Sequence, residues 1–307
     1  MSSKIQLFSQ ILRELEVEVG TRDMATVVFE ALIEAIQALE VEGHEEFEKQ
    51  FDNLTKFVFD TEPKYGILIN YFTILLNEVK KSEKTNRETI IKKLNEILKE
   101  RRSENRKIYK FAEKINVEGK TIFIHDNSHS VHDVLKYYKR KGKHFRVIIE
   151  EQDFEKTQNS IEALHDAGIP FSVIPSYMIS HIMASVDMVF FGCLTLKDTM
   201  EFVMSPGTHA VLTEFADHSI PSYLFINTNK FSYWKSKERG EIFYRKHTRK
   251  HHSKNIEYER IKYSHDRIPV KSFSKIVTDE GVFNPEQIKS VFEKKYKSFR
   301  ALCKYCN

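Results

Sequence analysis

The densest run of groups able to do chemistry is His125-Asp126-Asn127-Ser128-His129-Ser130. It lies between the short apolar run Thr121-Ile122-Phe123-Ile124 and a segment with Val131, Val134, Leu135 and Tyr138 on one helical side. A loop that ends a strand and opens a helix exposes free N–H groups at the positive end of the helix dipole. Asn127 or Ser128 can cap such a helix, and the turn suits an anion such as a phosphate. His125, His129 and His132 stand at spacings of 4 and 3. The first is on the strand and the last inside the helix, so they do not share a face and no metal centre is expected. Cys193 follows an apolar strand and reads as a buried structural cysteine rather than a thiolate nucleophile. Cys303-Lys304-Tyr305-Cys306 is half of a zinc ribbon without its other half and reads as a frayed tail. Neither G-x-G-x-x-G nor G-x-x-x-x-G-K-[ST] occurs, which excludes dinucleotide and NTP binding by those loops, and no cofactor is expected.

The elements that must position these groups fall into two regimes. Up to about residue 118 the spacing is helical: Ile5, Phe8, Ile11, Leu12 and Leu15, then Met24, Val27, Val28, Leu32, Ile36 and Leu39, then Phe47, Phe51, Leu54 and Val58, then Ile67, Tyr71, Leu75 and Val79. A long polar helix from Thr85 to about Ile115 follows. From Gly119 the period changes. Apolar runs at 121–125, 145–149, 170–174, 188–191 and 222–226 alternate with helical segments at 156–167, 176–185 and 208–217. Such alternation predicts an α/β fold, a helical domain over 1–118 followed by a Rossmann-like parallel-sheet domain over 119–307. Ligands of such sheets sit at the carboxyl ends of the strands, so the loops at Asp126, Glu151, Pro175, Cys193 and Asn227 are expected to line one crevice. The stretch Lys230 to Lys271 has little periodicity, and Lys275 to Val277 with Pro285 to Phe299 reads as a last strand and closing helix.

Composition fits a folded chain: of 307 residues, 41% are hydrophobic and 30% charged, with 10 Gly and 7 Pro. The net charge of +4 is local in origin. Residues 230–271 hold 13 Lys/Arg against 5 Asp/Glu, an excess of eight, so the rest of the chain is negative by four. With no aromatic RNA-binding signature beside it, this basic segment reads as a solvated loop that would suit an acidic partner, and nucleic acid is not the expected ligand. The densest apolar stretch, Ile67 to Leu76, is too short to span a bilayer. The opening Met1-Ser2-Ser3-Lys4-Ile5 has no apolar h-region. With three cysteines unable to make a disulfide framework, the expected compartment is the reducing cytoplasm.

Taken in order, several runs resemble one family, that of the alpha, beta and delta regulatory subunits of translation initiation factor 2B and the related ribose-1,5-bisphosphate and methylthioribose-1-phosphate isomerases. The runs are Ile122 to Ser128; Arg146 to Glu151, similar to the family's strand ending in Thr-Glu; Ala167-Gly168-Ile169-Pro170; and Met183 to Gly192, similar to its "M…(V)D…V..G". Pro206-Gly207-Thr208, Lys230-Phe231, Ile276 to Pro285 and Thr61-Glu62-Pro63-Lys64 complete the set. The resemblance implies a helical domain before a Rossmann-like one and association into homodimers or heteromers with sister subunits.

Its departures bear on activity. The positions matching the isomerases' proton-shuttling cysteine and aspartate are Asp126 and Leu194, and a leucine transfers no proton. Glu62 stands for an expected arginine, Met204-Ser205 for an expected Asn-Lys pair, and Asp153-Phe154 for an Arg-Pro pair. Each lost cation costs a phosphate charge-assisted hydrogen bonds of ~1.5–3 kcal/mol. The expectation is a non-catalytic regulatory or assembly subunit whose partner is a sister subunit or a translation initiation factor. Arg22, His125, Asn127, Ser128, Glu151, Gly207, Thr208 and Lys230 are the residues left to hold a phosphorylated small ligand. The alternatives are a divergent sugar-phosphate isomerase using Asp126, with a raised pKa, as its base, and a phosphosugar or nucleotide sensor without turnover.

Overall fold

A computed structural model describes residues 3–38, 44–61, 64–81, 86–235, 244–251, 256–263, 265–303 and 305. Four helices come first: α1 (Ser3–Ala38), α2 (His44–Phe59), α3 (Gly66–Lys81) and α4 (Arg87–Ala112). Helix α3 is apolar almost all round and accordingly central, burying Ile67, Leu68, Ile69, Phe72, Leu75 and Leu76 among its neighbours. Asn86 opens α4 with a reciprocal capping box, its Oδ1 accepting from the Thr89 amide at 2.9 Å. Helix α1 kinks at Gly20, whose φ of 71° and ψ of 159° lie outside helical space. There the backbone runs so close to His129 that an added Cβ would lie 3.0 Å from Nδ1.

The remaining chain contributes β1 (Lys120–Ile124), α5 (His129–Arg140), β2 (Phe145–Glu151), α6 (Phe154–Asp166), β3 (Phe171–Pro175), β4 (Met188–Gly192), β5 (Thr195–Leu196), β6 (Glu201–Met204), α7 (Thr208–Asp217) and β7 (Ser222–Phe225). After them come β8 (Tyr244–His251), β9 (Ile256–Tyr263), β10 (Asp266–Pro269), β11 (Lys275–Val277), β12 (Val282–Phe283) and α8 (Pro285–Arg300). The main sheet runs β12-β11-β7-β4-β1-β2-β3 and is parallel apart from β12. Its strands are apolar on both faces, as a covered parallel sheet requires. Ile122, Ile124, Val147, Ile149 and Phe190 pack with α5 on one side. Phe123, Ile148, Val189 and Phe191 join the core shared with the helical part. Strand order reverses between β1 and β4, so the crevice beside their carboxyl ends is the switch point where such sheets take ligands. Among the described residues no helix is long and apolar enough to cross a membrane.

The helical part docks in part onto main-chain groups. Asn70 donates from Nδ2 to the carbonyls of Asn229 at 2.9 Å and Phe231 at 3.0 Å. Gly66 lies against the Lys230 carbonyl, which an added Cβ would approach to 2.7 Å.

Several expectations need correction. The segment Ser176–Ser185 is a run of 3-10 turns rather than an α-helix, launched from the extended Pro175. After Gly192, where the alternation of apolar runs predicts no element, the chain forms β5 and β6, which join the distant β10 in a three-stranded antiparallel sheet. Within 230–271, β8 and β9 form an antiparallel ribbon where a loop was expected, because strands so rich in charged residues carry no apolar period to read. Cys303 is not in a frayed tail: it is buried against the core. Glu62 and Cys306 lie outside the described residues.

Candidate functional site

The loop after β1 turns through Asp126, which has φ 78°, a left-handed conformation that aspartate tolerates better than most residues. Ser128 caps α5, its Oγ accepting from the Val131 amide at 3.5 Å. Asn127 does not cap, and its Oδ1 is buried with no hydrogen-bond partner among the described residues. From the neighbouring strand Gly192 leaves room for that cap: a Cβ there would fall 1.9 Å from Ser128 Oγ and 2.7 Å from its Cβ.

One residue beyond β1, His125 is buried and its Nδ1 pairs with Oε2 of the buried Glu150. Glu150, not Glu151, is therefore the carboxylate that β2 aims at this loop. Strand residues alternate in direction, so a shift of one exchanges the faces: Glu150 follows Ile148 to one side, and Glu151 is exposed on the other. Only the Glu151 carbonyl takes part locally, accepting from Ser176 Oγ at 2.8 Å. Beside the imidazole opens a cavity of about 530 Å³ lined by His125, Glu150, Gln152, Lys156, Ser176 and Gly207 among others.

Asp126 is held by Lys156, whose Nζ lies 3.0 Å from Oδ1, and by a hydrogen bond donated from Ser205 Oγ. Burial alone would raise this carboxyl, but the Lys156 charge with the Ser205 hydrogen bond outweighs it and holds the group below the ordinary aspartate value. A base with a raised pKa, the expectation for an Asp126-driven isomerase, is thus corrected. The lysine in turn stays charged: burial opposes its charge, and Asp126, together with Asp153 and Glu16, more than compensates. Lys156→Met should cost about 1–2 kcal/mol at neutral pH, a figure kept low because the pair is partly exposed. Without the lysine the Asp126 pKa rises, so the deficit should shrink as pH falls to 4 and the carboxyl protonates. Urea titrations at the two pH values measure it; an equal deficit at both would show that Lys156 acts by packing alone.

The opening of α7 carries the clearest departure from an empty anion site. Gly207 takes φ 93° and turns its amide, with that of His209, toward the Asp266 carboxylate of β10, both N–H groups donating to Oδ2 at 3.1 Å. The positive end of the helix therefore already carries an anion from its own chain. Thr208 is fully buried and donates from Oγ1 to the Ser205 carbonyl at 2.6 Å, a structural role. Lys230 reaches the Cys193 carbonyl from Nζ at 3.3 Å, and burial pushes the Cys193 thiol up to about 12, in keeping with a structural cysteine. The side chain of Arg22 lies outside the described residues.

Four residues of this arrangement escape the sequence reading: Glu16, Glu150, Lys156 and Asp266. Glu16 of α1 lies near Lys156, Lys230 and Asp126; burial raises its carboxyl, and the two lysines pull it partly back. Its signal is position, since it stands four residues after Leu12 on an apolar stripe. Lys156 is in the first turn of α6, where a cation opposes the helix dipole, an inconsistency that points to a partner elsewhere. Asp266 carries no local signal.

The family model described as the initiation factor 2 subunit family matches residues 17–285. A ribose 1,5-bisphosphate isomerase of Archaeoglobus fulgidus is 23% identical over 222 residues, 72% of this chain and 70% of that protein. Among solved structures, the translation initiation factor eIF-2B of Pyrococcus horikoshii matches with TM-score 0.73 at 19% identity, covering 94% of this chain and 99% of that one. The tetrameric eIF2B beta2-delta2 complex of C. thermophilum matches with TM-score 0.69 at 15% identity, covering 94% and 95%.

Proposed function

This chain belongs to the initiation factor 2 subunit family, and from that premise we propose that it works as a non-catalytic assembly or regulatory subunit in the cytoplasm. Its partners in this reading are sister subunits or a translation initiation factor. The observation that carries the proposal is the Asp266 carboxylate on the Gly207 and His209 amides. A phosphate at the start of α7 would have to displace this carboxylate or meet its negative charge. Nearby, Asp126 is bound to Lys156 and Ser205, and Leu194 and Ser205 offer no proton-transfer group of suitable pKa. The tetrameric complex among its structural relatives supports association as the common property.

The second reading, a sugar-phosphate isomerase, draws on the similarity to the Archaeoglobus fulgidus enzyme. It requires Asp126 to act as a base although its pKa is held down. Incubating purified chain with ribose 1,5-bisphosphate, following conversion by phosphorus NMR and measuring mass by light scattering, separates the two. No conversion with a dimer or larger mass is the expected result. Turnover that disappears in Asp126→Asn would overturn it. A thermal shift with the sugar phosphate but no turnover would instead support the sensor reading, in which the ligand displaces Asp266.

A further inference from the structure

A second cavity shares no lining residue with the one beside His125. It opens between α1, α4 and α5 with a volume of about 400 Å³, a size that suits a small molecule. Grooves between packed helices are ordinarily filled by apolar side chains, yet among the described residues of this lining only Leu98 lacks a polar side-chain group. Three arginines of α4 contribute: Arg101, Arg102 and Arg106. Arg101 is only 5% exposed, donates from Nη1 to Thr26 Oγ1 at 2.9 Å and lies over the Tyr71 ring, so its charge is fixed in place. Arg102 and Arg106 are exposed, and neither has a hydrogen bond or an ion pair among the described residues.

Helical spacing makes these two residues neighbours. The positions three and four residues from Arg102 hold Leu98, Lys99, Asn105 and Arg106, and those around Arg106 hold Arg102, Ser103, Tyr109 and Lys110. No carboxylate of α4 is placed to offset either charge, and like charges at i and i+4 repel. The two carboxylates of the lining have other partners. Asp133 accepts from Tyr109 Oη at 2.9 Å, and Asp23 lies 3.4 Å from Nδ1 of His129. At the start of α7 the chain supplies its own anion; here, among the described residues, it supplies none to Arg102 or Arg106.

We propose that this cavity binds a small phosphomonoester whose dianionic head sits on Arg102 and Arg106 beside the buried Arg101. A guanidinium presents paired N–H donors that match two phosphate oxygens, and two cations without partners match the two charges of the group. A single carboxylate would satisfy only one of them. Asn105, which both donates and accepts, and the Tyr109–Asp133 pair supply polar contacts for a hydroxylated body. Asp23 and Thr26 belong to α1 and Asp133 to α5, so the occupant touches both the helical part and the sheet part of the chain. Binding should therefore brace one against the other and raise the melting temperature. The inference goes beyond the assembly reading and needs no partner subunit.

Isothermal titration calorimetry with the full chain tests it, with ribose 5-phosphate, inorganic phosphate and ribose as probes. Ribose 5-phosphate should bind at least about tenfold tighter than inorganic phosphate, and ribose should not bind. R102Q/R106Q should weaken ribose 5-phosphate at least about tenfold, a difference of ~1.4 kcal/mol. K99Q/K107Q removes the same charge from exposed positions of α4 outside the cavity and should leave affinity within about twofold. In phosphate-free buffer the arginine variant should melt no lower than the parent, since it relieves a repulsion, and that result also establishes that it folds. Equal losses in the two variants, no preference for the ester, binding of ribose, or no binding of either phosphate compound would each overturn the proposal. So would binding that R102Q/R106Q leaves intact and Lys156→Met abolishes, which would put the ligand beside Asp126 instead. If the titrations fail while light scattering still reports an oligomer, the cavity proposal falls and the assembly reading stands. If binding depends on the two arginines and the chain is monomeric and turns over sugar phosphate, the reverse holds.

Discussion

Gly192→Ala is expected to lower the stability of the chain by about 3 kcal/mol, the upper part of the range for overpacking a tight contact. The new Cβ would meet Ser128 at both its Oγ and its Cβ, so rotating the serine hydroxyl away relieves only half of the conflict. Either β4 moves away from β1 or the capping turn of α5 shifts, and both carry the loop that holds Asp126. The double variant Gly192→Ala/Ser128→Gly should recover much of the loss, because it removes the colliding Cβ and glycine costs an N-cap only a few tenths of a kcal/mol. Urea titrations of the single and double variants give the coupling energy directly. Simple additivity of the two substitutions would show that the strain resides elsewhere. The same contact explains in physical terms why the run ending at Gly192 requires a glycine: the cap of the following helix occupies the space of its side chain.

The second large effect concerns pH. Where the helical part meets the sheet, Glu104 of α4 accepts hydrogen bonds from Tyr71 Oη at 3.3 Å, Asn227 Nδ2 at 3.5 Å and Asn229 Nδ2. Asp279 lies close by, accepting from the Thr228 amide at 2.7 Å. Burial, reinforced by the charge of Asp279, raises Glu104 to about 7, and the hydrogen bonds offset this only in part. A carboxyl with a folded pKa above its unfolded value binds more protons when folded between the two. Stability from this group is therefore fully present below about 4.5 and is lost as pH rises through 7. His132 and His265, both lowered to about 4 with burial the chief cause, act with the opposite sign and lose stability as pH falls from 6.5 toward 4. Glu104→Gln removes one side of this balance. Its stability relative to the parent should improve by about 3 kcal/mol between pH 5 and pH 8, whatever constant offset the amide introduces. Guanidinium titrations across that range measure the difference. A parent-minus-variant value independent of pH would mean that Glu104 is ionised throughout.

Much of the architecture is written in local pattern. Runs such as 145–149 and 188–191 are apolar on both faces because the parallel sheet is covered on both sides, and their ends are misplaced by only one or two residues. The site is less legible because its deciding features depend on direction or on distance along the chain. Choosing between Glu150 and Glu151 requires the strand register to a single residue, and a reading that ends the strand at Ile149 has no means of orienting either. Asp266 reaches the start of α7 from β10, across more than fifty residues of chain. No periodicity encodes that approach. Lys156 is legible only as a misfit with its own helix, and the β8–β9 ribbon only through a pairing that its charged sequence does not advertise.

The joint between the two parts of the chain has a further consequence. Asn70 and Gly66 meet the backbone of residues 229–231, reading carbonyl oxygens that every amino acid possesses. These two contacts therefore place no demand on the side chain at 230, which presents its charge to Glu16 of α1. A neutral residue at that position would change the charge of the crevice while leaving the Asn70 and Gly66 contacts in place. A scaffold joined in this way is suited to divergence: one frame can lose a ligand, acquire another, or keep none, with its fold intact.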